Sequence, residues 1–484
     1  MLMIEIENLT VEYDKSPALE DVSLKIPGGQ CLLVTGPTGC GKSTLAHVLT
    51  GLIPHALPAR MSGVVRVEGV EVASSSIAEL ACKIGIVFQN PSSQLLHLRV
   101  DDEVAFGPRN LGLPESEVRK RVDWALETVG LDGMHAFKPA HLSGGQKQRL
   151  AIACALAMRP SVLILDEPTA SLDVPGTKML IATLERIRQE WGLTIVLIEH
   201  RLAEALRIAD RAVILDRGHI IADGIPSQVL SDRRMLRLLG LRRPTREPPV
   251  GWEKLLEPNG PIPNGRAPLL AMHKVHAGYD TGEILQDIDI KLYPGEFVAL
   301  VGDNGAGKST LGLVASGLLK PRAGSVIFQD GRSPRGGLDV ALLFQNPSDQ
   351  LLTDRVEDEV ALGPLNFGKF RADIHLQTLE EMDLLELRER QPCKLSAGQQ
   401  QRTALAACLA LRPKLVILDE PTLGQDWAHM EQLMDFMKSL NSLGTTVLLI
   451  THDYKVVYRY ARRVIFLEQG RIRLDGRLRR RQHD

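Results

Sequence analysis

Two stretches of this 484-residue chain place glycines, a lysine and a hydroxyl at the spacing that phosphate binding requires. The first, GPTGCGKST at residues 36–44, supplies Gly36, Gly39 and Gly41 for a backbone that wraps an anion with its N–H groups. Lys42 can reach β- and γ-phosphates, Ser43 can offer a hydroxyl to Mg2+, and Thr44 continues a helix whose positive end faces the anion. The second, GDNGAGKST at residues 302–310, repeats the set with Gly302, Gly305, Gly307, Lys308, Ser309 and Thr310. Each follows an apolar run, CLLVTG or FVALVG, so each reads as a P-loop entered from a buried parallel strand. A phosphate chain and Mg2+ are the ligands that this pair implies.

A second group of residues completes the chemistry. The apolar run VLILD delivers Asp166 and Glu167 to a strand end, and LVILDE does the same for Asp419 and Glu420. The aspartates suit Mg2+ held through water, and the glutamates suit orienting or deprotonating a water that attacks the γ-phosphate. Burying such a pair without an ion would be costly, which argues against a purely structural role. His200 lies 34 positions past Asp166 and His452 lies 33 past Asp419, both at strand ends, where they can contact a γ-phosphate. Gln89 in IVFQNPSSQLL and Gln345 in LLFQNPSDQLL can touch Mg2+ or the attacking water. These are followed by DDEVAFGP and EDEVALGP. Tyr13 precedes Lys42 by 29 positions and Tyr279 precedes Lys308 by the same 29, which favours rings that stack on adenine over strand-end packing alone. Ser143 and Gly145 in HLSGGQKQR, with Ser396 and Gly398 in KLSAGQQQR, open helices with free N–H groups and a hydroxyl; an ordinary capped helix would look similar.

The elements that must position these residues are also legible. IEIENLTVEYD alternates like an edge strand of an antiparallel sheet. PESEVRKRVDWALETVGL puts Val118, Val122, Ala125, Leu126 and Val129 on one helical face. Residues 244–268 contain seven prolines and little periodicity, a linker of 25 residues that would reach roughly 75 Å when extended. The expected division is one domain at residues 1–232, a Pro-rich linker at 233–268 and a second domain at 269–484.

Composition narrows the class. A formal charge of -2 with 24% charged residues describes an ordinary globular protein, not a polybasic nucleic-acid binder. No apolar run approaches the roughly eighteen residues that span a bilayer. The six cysteines form no CxxC pair and read as reduced, mostly buried thiols. Basic runs near Arg242 and at RLRRRQHD could meet anionic lipid, although solvated charge explains them more simply.

In order, Tyr, P-loop, QNP, LSGGQ, VLILDEPT and a strand-end His resemble the nucleotide-binding subunits of ATP-binding-cassette transporters, over nearly the whole chain outside the linker. The resemblance implies an α/β fold: two tandem P-loop cassettes, each with a mostly parallel core sheet, an antiparallel β subdomain and a helical signature subdomain. It implies two head-to-tail ATP sites, one joining Tyr13, Lys42, Ser43, Gln89, Asp166, Glu167 and His200 with Ser396 and Gly398. The other would join Tyr279, Lys308, Ser309, Gln345, Asp419, Glu420 and His452 with Ser143 and Gly145. The QNPxxQL and EVAxGP segments look like those of energy-coupling-factor importers of vitamins, vitamin precursors, cobalt or nickel. That likeness implies an integral membrane coupling subunit, a substrate-capture membrane protein and a place on the cytoplasmic face of the membrane. The rival readings are a soluble tandem cassette acting on ribosomes or DNA, and the ATPase of another transporter class. Two departures stand out: Ala397 replaces a signature glycine, and GQD stands where the first half has SLD. All four of Glu167, Glu420, His200 and His452 are present, so both sites are expected to be competent.

Overall fold

The computed structural model describes residues 2–13, 16–170, 172, 174–241, 251–252, 256–258, 267–280, 282–421 and 427–479, with no account of the side chains of 174, 258 and 397. Most of the expected linker, the basic runs at Arg242 and 480–481, and residues 171, 173 and 424–426 of SLD and GQD lie outside that set. The chain forms two compact units, one built on Met1–Arg246 and the other on Glu247–Gln425 and His429–Asp484.

In the first unit, strands β1 (Leu2–Tyr13), β2 (Ser16–Pro27), β4 (Arg60–Val67) and β5 (Val70–Glu71) form an antiparallel sheet, while β3 (Cys31–Thr35) enters the core sheet. That sheet also takes β6 (Ile84–Val87), β7 (Val162–Asp166), β8 (Thr194–Ile198), β9 (Arg211–Asp216) and β10 (His219–Gly224), in the order β10-β9-β3-β8-β7-β6. All its pairs are parallel except β10 with β9. Alternation along a strand sends neighbours to opposite faces. Cys31 and Leu33 of β3, with Leu163 and Leu165 of β7, enter the core shared with the helices Glu115–Thr128 and Gly144–Ala157. Leu32, Val34, Val162 and Ile164 enter the other core, against Ile4, Ile6 and Leu24 of the antiparallel sheet and Leu45 of helix Lys42–Leu49. Burial on both faces explains why these strands are unbroken apolar runs. It also leaves the strand ends as places where polar residues can gather.

β1 is not the edge strand that its alternation predicts: Ile4 faces Ile26 on one side and Val67 on the other. Its second partner, β4, buries only two of eight residues and so carries too weak a pattern to announce itself. The helix Glu115–Thr128 does bury Val118, Val122, Ala125 and Leu126, and Val129 is buried just past it. Beyond residue 232, helix Arg233–Leu238 still buries Leu236 in the first unit's core.

In the second unit, β11 (Leu256–Pro258) pairs with the last strand of the core sheet, within the stretch expected to be linker. β12 (Leu270–Tyr279), β13 (Gly282–Leu292) and β15 (Ala323–Phe328) form the antiparallel sheet. β14 (Phe297–Val301), β16 (Val340–Leu343), β17 (Leu415–Asp419), β18 (Thr446–Ile450), β19 (Arg463–Glu468) and β20 (Arg471–Leu478) join β11 in the order β11-β20-β19-β14-β18-β17-β16. The pairs from β19 to β16 are parallel. Each unit therefore has the mixed α/β plan expected of it. The cysteines are all free thiols, but Cys82 and Cys393 are exposed, so they are less buried than composition predicts.

Candidate functional site

In both units the P-loop turns from a core strand, β3 or β14, into the helix Lys42–Leu49 or Lys308–Ala315. Gly41, the N-cap, sits at φ 107, and a Cβ there would lie 2.4 Å from the Ala18 carbonyl oxygen. Only glycine fits this left-handed position beside another backbone. Lys42 Nζ donates to the carbonyls of Gly36 (2.9 Å) and Pro37 (2.7 Å), and Lys308 Nζ to those of Gly302 (2.8 Å) and Asp303 (3.1 Å). Both ammonium groups are thus buried inside the loop that would cradle the anion. Gly39 and Gly305 also take left-handed φ, 77 and 81.

Ser43 Oγ donates to Asp166 Oδ2 at 2.8 Å, and in the second unit Ser309 lies beside Asp419 at the matching strand end. Burial pushes both aspartates up to about 6, against the pull of the serine hydroxyls. Glu167 and Glu420 stand at φ 49 and 45, a conformation that costs a non-glycine residue about 1 kcal/mol or more and that gathers at working sites. Their N–H groups donate to Ile198 and Ile450 carbonyls, each at 2.9 Å, which anchors the turn. Gln89 Nε2 donates to Glu167 Oε2 at 2.9 Å, and His200 Nε2 lies 3.1 Å from Glu167 Oε1. Burial raises the Glu167 carboxyl, but His200, Lys42 and Gln89 together outweigh it and leave the group below the ordinary carboxylate range. In the second unit His452 meets Glu420 Oε1 through Nδ1 at 2.9 Å, while Gln345 is exposed and makes no side-chain hydrogen bond among the described residues.

The structure thus brings Lys42, Ser43, Gln89, Asp166, Glu167 and His200 together at the carboxyl end of the core sheet. Hydroxyl, carboxamide and carboxylate oxygens are the hard donors that suit Mg2+, so Ser43, Gln89 and Asp166, with Ser309, Gln345 and Asp419, fit that ion. Bound there, it would supply neutralising charge for phosphate oxygens. Tyr13 and Ser143 stand apart from the cluster. Tyr13 packs partly on the antiparallel-sheet core, while Tyr279 is 43% exposed. Ser143 caps Gly144–Ala157, accepting from the Gln146 N–H at 3.3 Å while Gln146 Oε1 accepts from its own N–H at 2.9 Å; Ser396 and Gln399 repeat this box. Gly145 and Gly398 follow in the first turns of these helices.

Sequence reasoning passes over two sets of buried acids. Glu103 accepts from the N–H groups of Leu96 (2.8 Å) and His97 (2.6 Å), and Glu359 from those of Leu352 and Thr353, each 2.8 Å. They clamp the segment after each QNP motif; the matched DDEV and EDEV were the available signal. Glu199, next to His200, accepts from the N–H (3.0 Å) and hydroxyl (2.6 Å) of Thr169. No sequence signal marks it, since the second half has Thr451 there.

Among the described residues no helix is long and apolar enough to cross a membrane. A family model described as ABC transporter matches residues 19–170 and 285–423. A Methanosarcina acetivorans protein, provisionally named an ABC transporter ATP-binding protein, is 37% identical over 98% of this chain and 85% of its own length. A Caldanaerobacter subterraneus protein of the same provisional description is 35% identical over 98% and 91%. Among solved structures, CbiO1 from Clostridium perfringens, part of the ABC transporter complex CbiONQ, is 35% identical over 50% of this chain and 96% of that one, with a TM-score of 0.44. An ATP-binding cassette in a dimeric post-hydrolysis state with ADP and phosphate is 29% identical over 46% and 98%, with a TM-score of 0.42. The chain belongs to the ABC transporter family: it is an ATPase that uses ATP with Mg2+ and energises transport through membrane permease partners.

Proposed function

We propose that the chain is the fused ATPase pair of an energy-coupling-factor importer, taking up a vitamin, a vitamin precursor, cobalt or nickel. The observation that carries this reading is the clamped segment after each QNP motif. Glu103 and Glu359 pin it in the same way in both units, yet it leaves Leu96 73% and Leu352 76% exposed. An apolar side chain held rigidly in water on a braced loop is what a protein partner would cover. Gln94 and Gln350 brace the same loops, their Oε1 atoms accepting from Phe88 and Phe344 N–H at 2.8 Å, so motion there reaches Gln89 and Gln345 directly. The partner on that surface is an integral membrane coupling subunit, joined by a substrate-capture membrane protein, and the chain works peripherally at the cytoplasmic face.

Within each cassette, Glu167 and Glu420 orient the attacking water and accept its proton, and His200 and His452 hold the γ-phosphate side. Lys42, Lys308 and the glycines around them hold the phosphates, and Tyr13 and Tyr279 support adenine. Ser143, Gly145, Ser396 and Gly398 serve nucleotide bound by the other cassette, by their likeness to family signatures. The division into cassettes at 1–232 and 269–484, joined by the 233–268 segment, belongs to this reading.

Purification from native membranes in mild detergent tests the proposal. Recovery of a small hydrophobic subunit and a substrate-capture protein is expected, and replacing Leu96 and Leu352 by Glu should release both while leaving basal ATP hydrolysis. Recovery of ribosomes or nucleic acid alone would refute it.

A further inference from the structure

Glu199 is 2% exposed, yet its carboxylate ties together two backbone segments of the first unit. Oε1 accepts from the N–H and hydroxyl of Thr169, in the DEPT turn that carries Asp166 and Glu167. Oε2 accepts from the N–H groups of His200 (3.1 Å) and Arg201 (3.2 Å), in the turn that carries the histidine. Arg201 adds a second tie, its Nη1 donating to the carbonyls of Thr169 (3.4 Å) and Leu172 (3.2 Å). The two turns joined in this way are those that bring Glu167 and His200 to 3.1 Å of each other.

Packing alone does not call for an acid here. A buried carboxylate is expensive unless every lone pair is met, and the second unit closes the same turn with Thr451, 0% exposed, whose hydroxyl accepts from the Asp453 N–H at 3.0 Å. The acid of that unit has moved to the far side of its histidine, where Asp453 caps helix Tyr454–Tyr460. The carboxylate in the first unit thus faces inward, toward the glutamate turn, and the one in the second caps the following helix.

We infer that Glu199 is a positioning residue for ATP hydrolysis at the first unit: it braces the Thr169 turn against the His200 turn and so fixes Glu167 and His200 in their working separation. It touches neither nucleotide nor water itself. The inference rests on the proposed roles of Glu167 and His200.

Glu199→Thr, which installs the second unit's residue, removes the bridge while keeping a hydrogen-bonding side chain. In a Glu420→Gln background, where turnover is left to the first unit, it should lower kcat by about fivefold to tenfold and leave KM for ATP within about twofold, because a loss of alignment is felt in the transition state more than in binding. Glu199→Gln keeps an acceptor for Thr169 but turns its amide toward the N–H groups of His200 and Arg201, so it should fall between wild type and Glu199→Thr. Thermal unfolding of both variants should stay within about 3 °C of wild type. Unchanged kcat in both variants, or loss of kcat that merely follows a fall in Tm, would overturn the inference. Glu167→Gln, measured alongside in the same background, separates the two readings: if it abolishes turnover while both Glu199 variants remain fully active, the brace alone is wrong. If Glu167→Gln turns over normally, the site assignment and the brace fall together.

Discussion

In the first unit Glu167 is gripped from two sides, by Gln89 and by His200 through Nε2. In the second, Glu420 meets His452 through Nδ1 and Gln345 is exposed. The motifs are nearly identical, so the difference shows that a repeated pattern fixes which groups are available and leaves their pairing to the local loop. Gln89 and Gln345, which share a motif, thus take different settings, one bonded to its glutamate and one exposed.

The largest predicted effect tests whether the units are equivalent in chemistry despite this difference. Glu167→Gln and Glu420→Gln should keep ATP binding, each alone removing about half of steady-state hydrolysis and the two together cutting it by about a hundredfold, the scale of a lost general base. A silent Glu420→Gln beside a dead Glu167→Gln would make the second unit a binding site only. The next effect should separate the P-loops. At Gly41 an added Cβ meets the Ala18 backbone carbonyl at 2.4 Å, whereas at Gly307 it meets the Leu285 Cδ2 and Ile284 Cγ2 side-chain atoms at 2.9 and 3.1 Å. Gly41→Ala should therefore lose about 2–4 kcal/mol and most nucleotide affinity, and Gly307→Ala clearly less, by calorimetry and fluorescent-nucleotide titration.

Glutamines deep in the signature helices give a smaller contrast. Gln401 Nε2 donates to the Pro421 carbonyl at 2.6 Å, but neither amide atom of Gln148, 1% exposed, has a partner among the described residues. Gln401→Met should cost about 1–2 kcal/mol in urea unfolding and Gln148→Met about nothing, or it should stabilise slightly. The smallest effect is acid-dependent and confined to the second unit. The Arg332 hydrogen bonds and the Arg335 contacts hold the Asp339 carboxyl well below the usual carboxylate range. A depressed folded-state value stabilises the fold above the unfolded pKa of about 4 and is lost as pH falls through the folded value. Asp339→Asn should thus cost about 1 kcal/mol at pH 7, and the gap should close progressively below about pH 4.

The site residues could be picked from the chain because backbone geometry ties each to its motif: a P-loop must end in Lys42 and Ser43, and a doubly buried strand must end where Asp166 and Glu167 stand. Pairing could not. Gln89 and Gln345 share a sequence context and differ in burial, and the Ser143 hydroxyl is engaged by its own helix. Glu199 was invisible because it extends the apolar run TIVLI, where a carboxylate makes sense only once Thr169, distant in sequence, is seen to face it. β1 reads as an edge strand for a related reason: its second neighbour, β4, is mostly exposed and carries no clear alternation.

The short strand β11 has a practical consequence. It covers the outer side of β20, pairing Leu256 with Leu478 and Pro258 with Gly476. A fragment cut to begin at residue 269 would bare a row of unpaired backbone groups on β20 and should self-associate through them. One beginning near residue 247 would carry its own cover and stay dispersed.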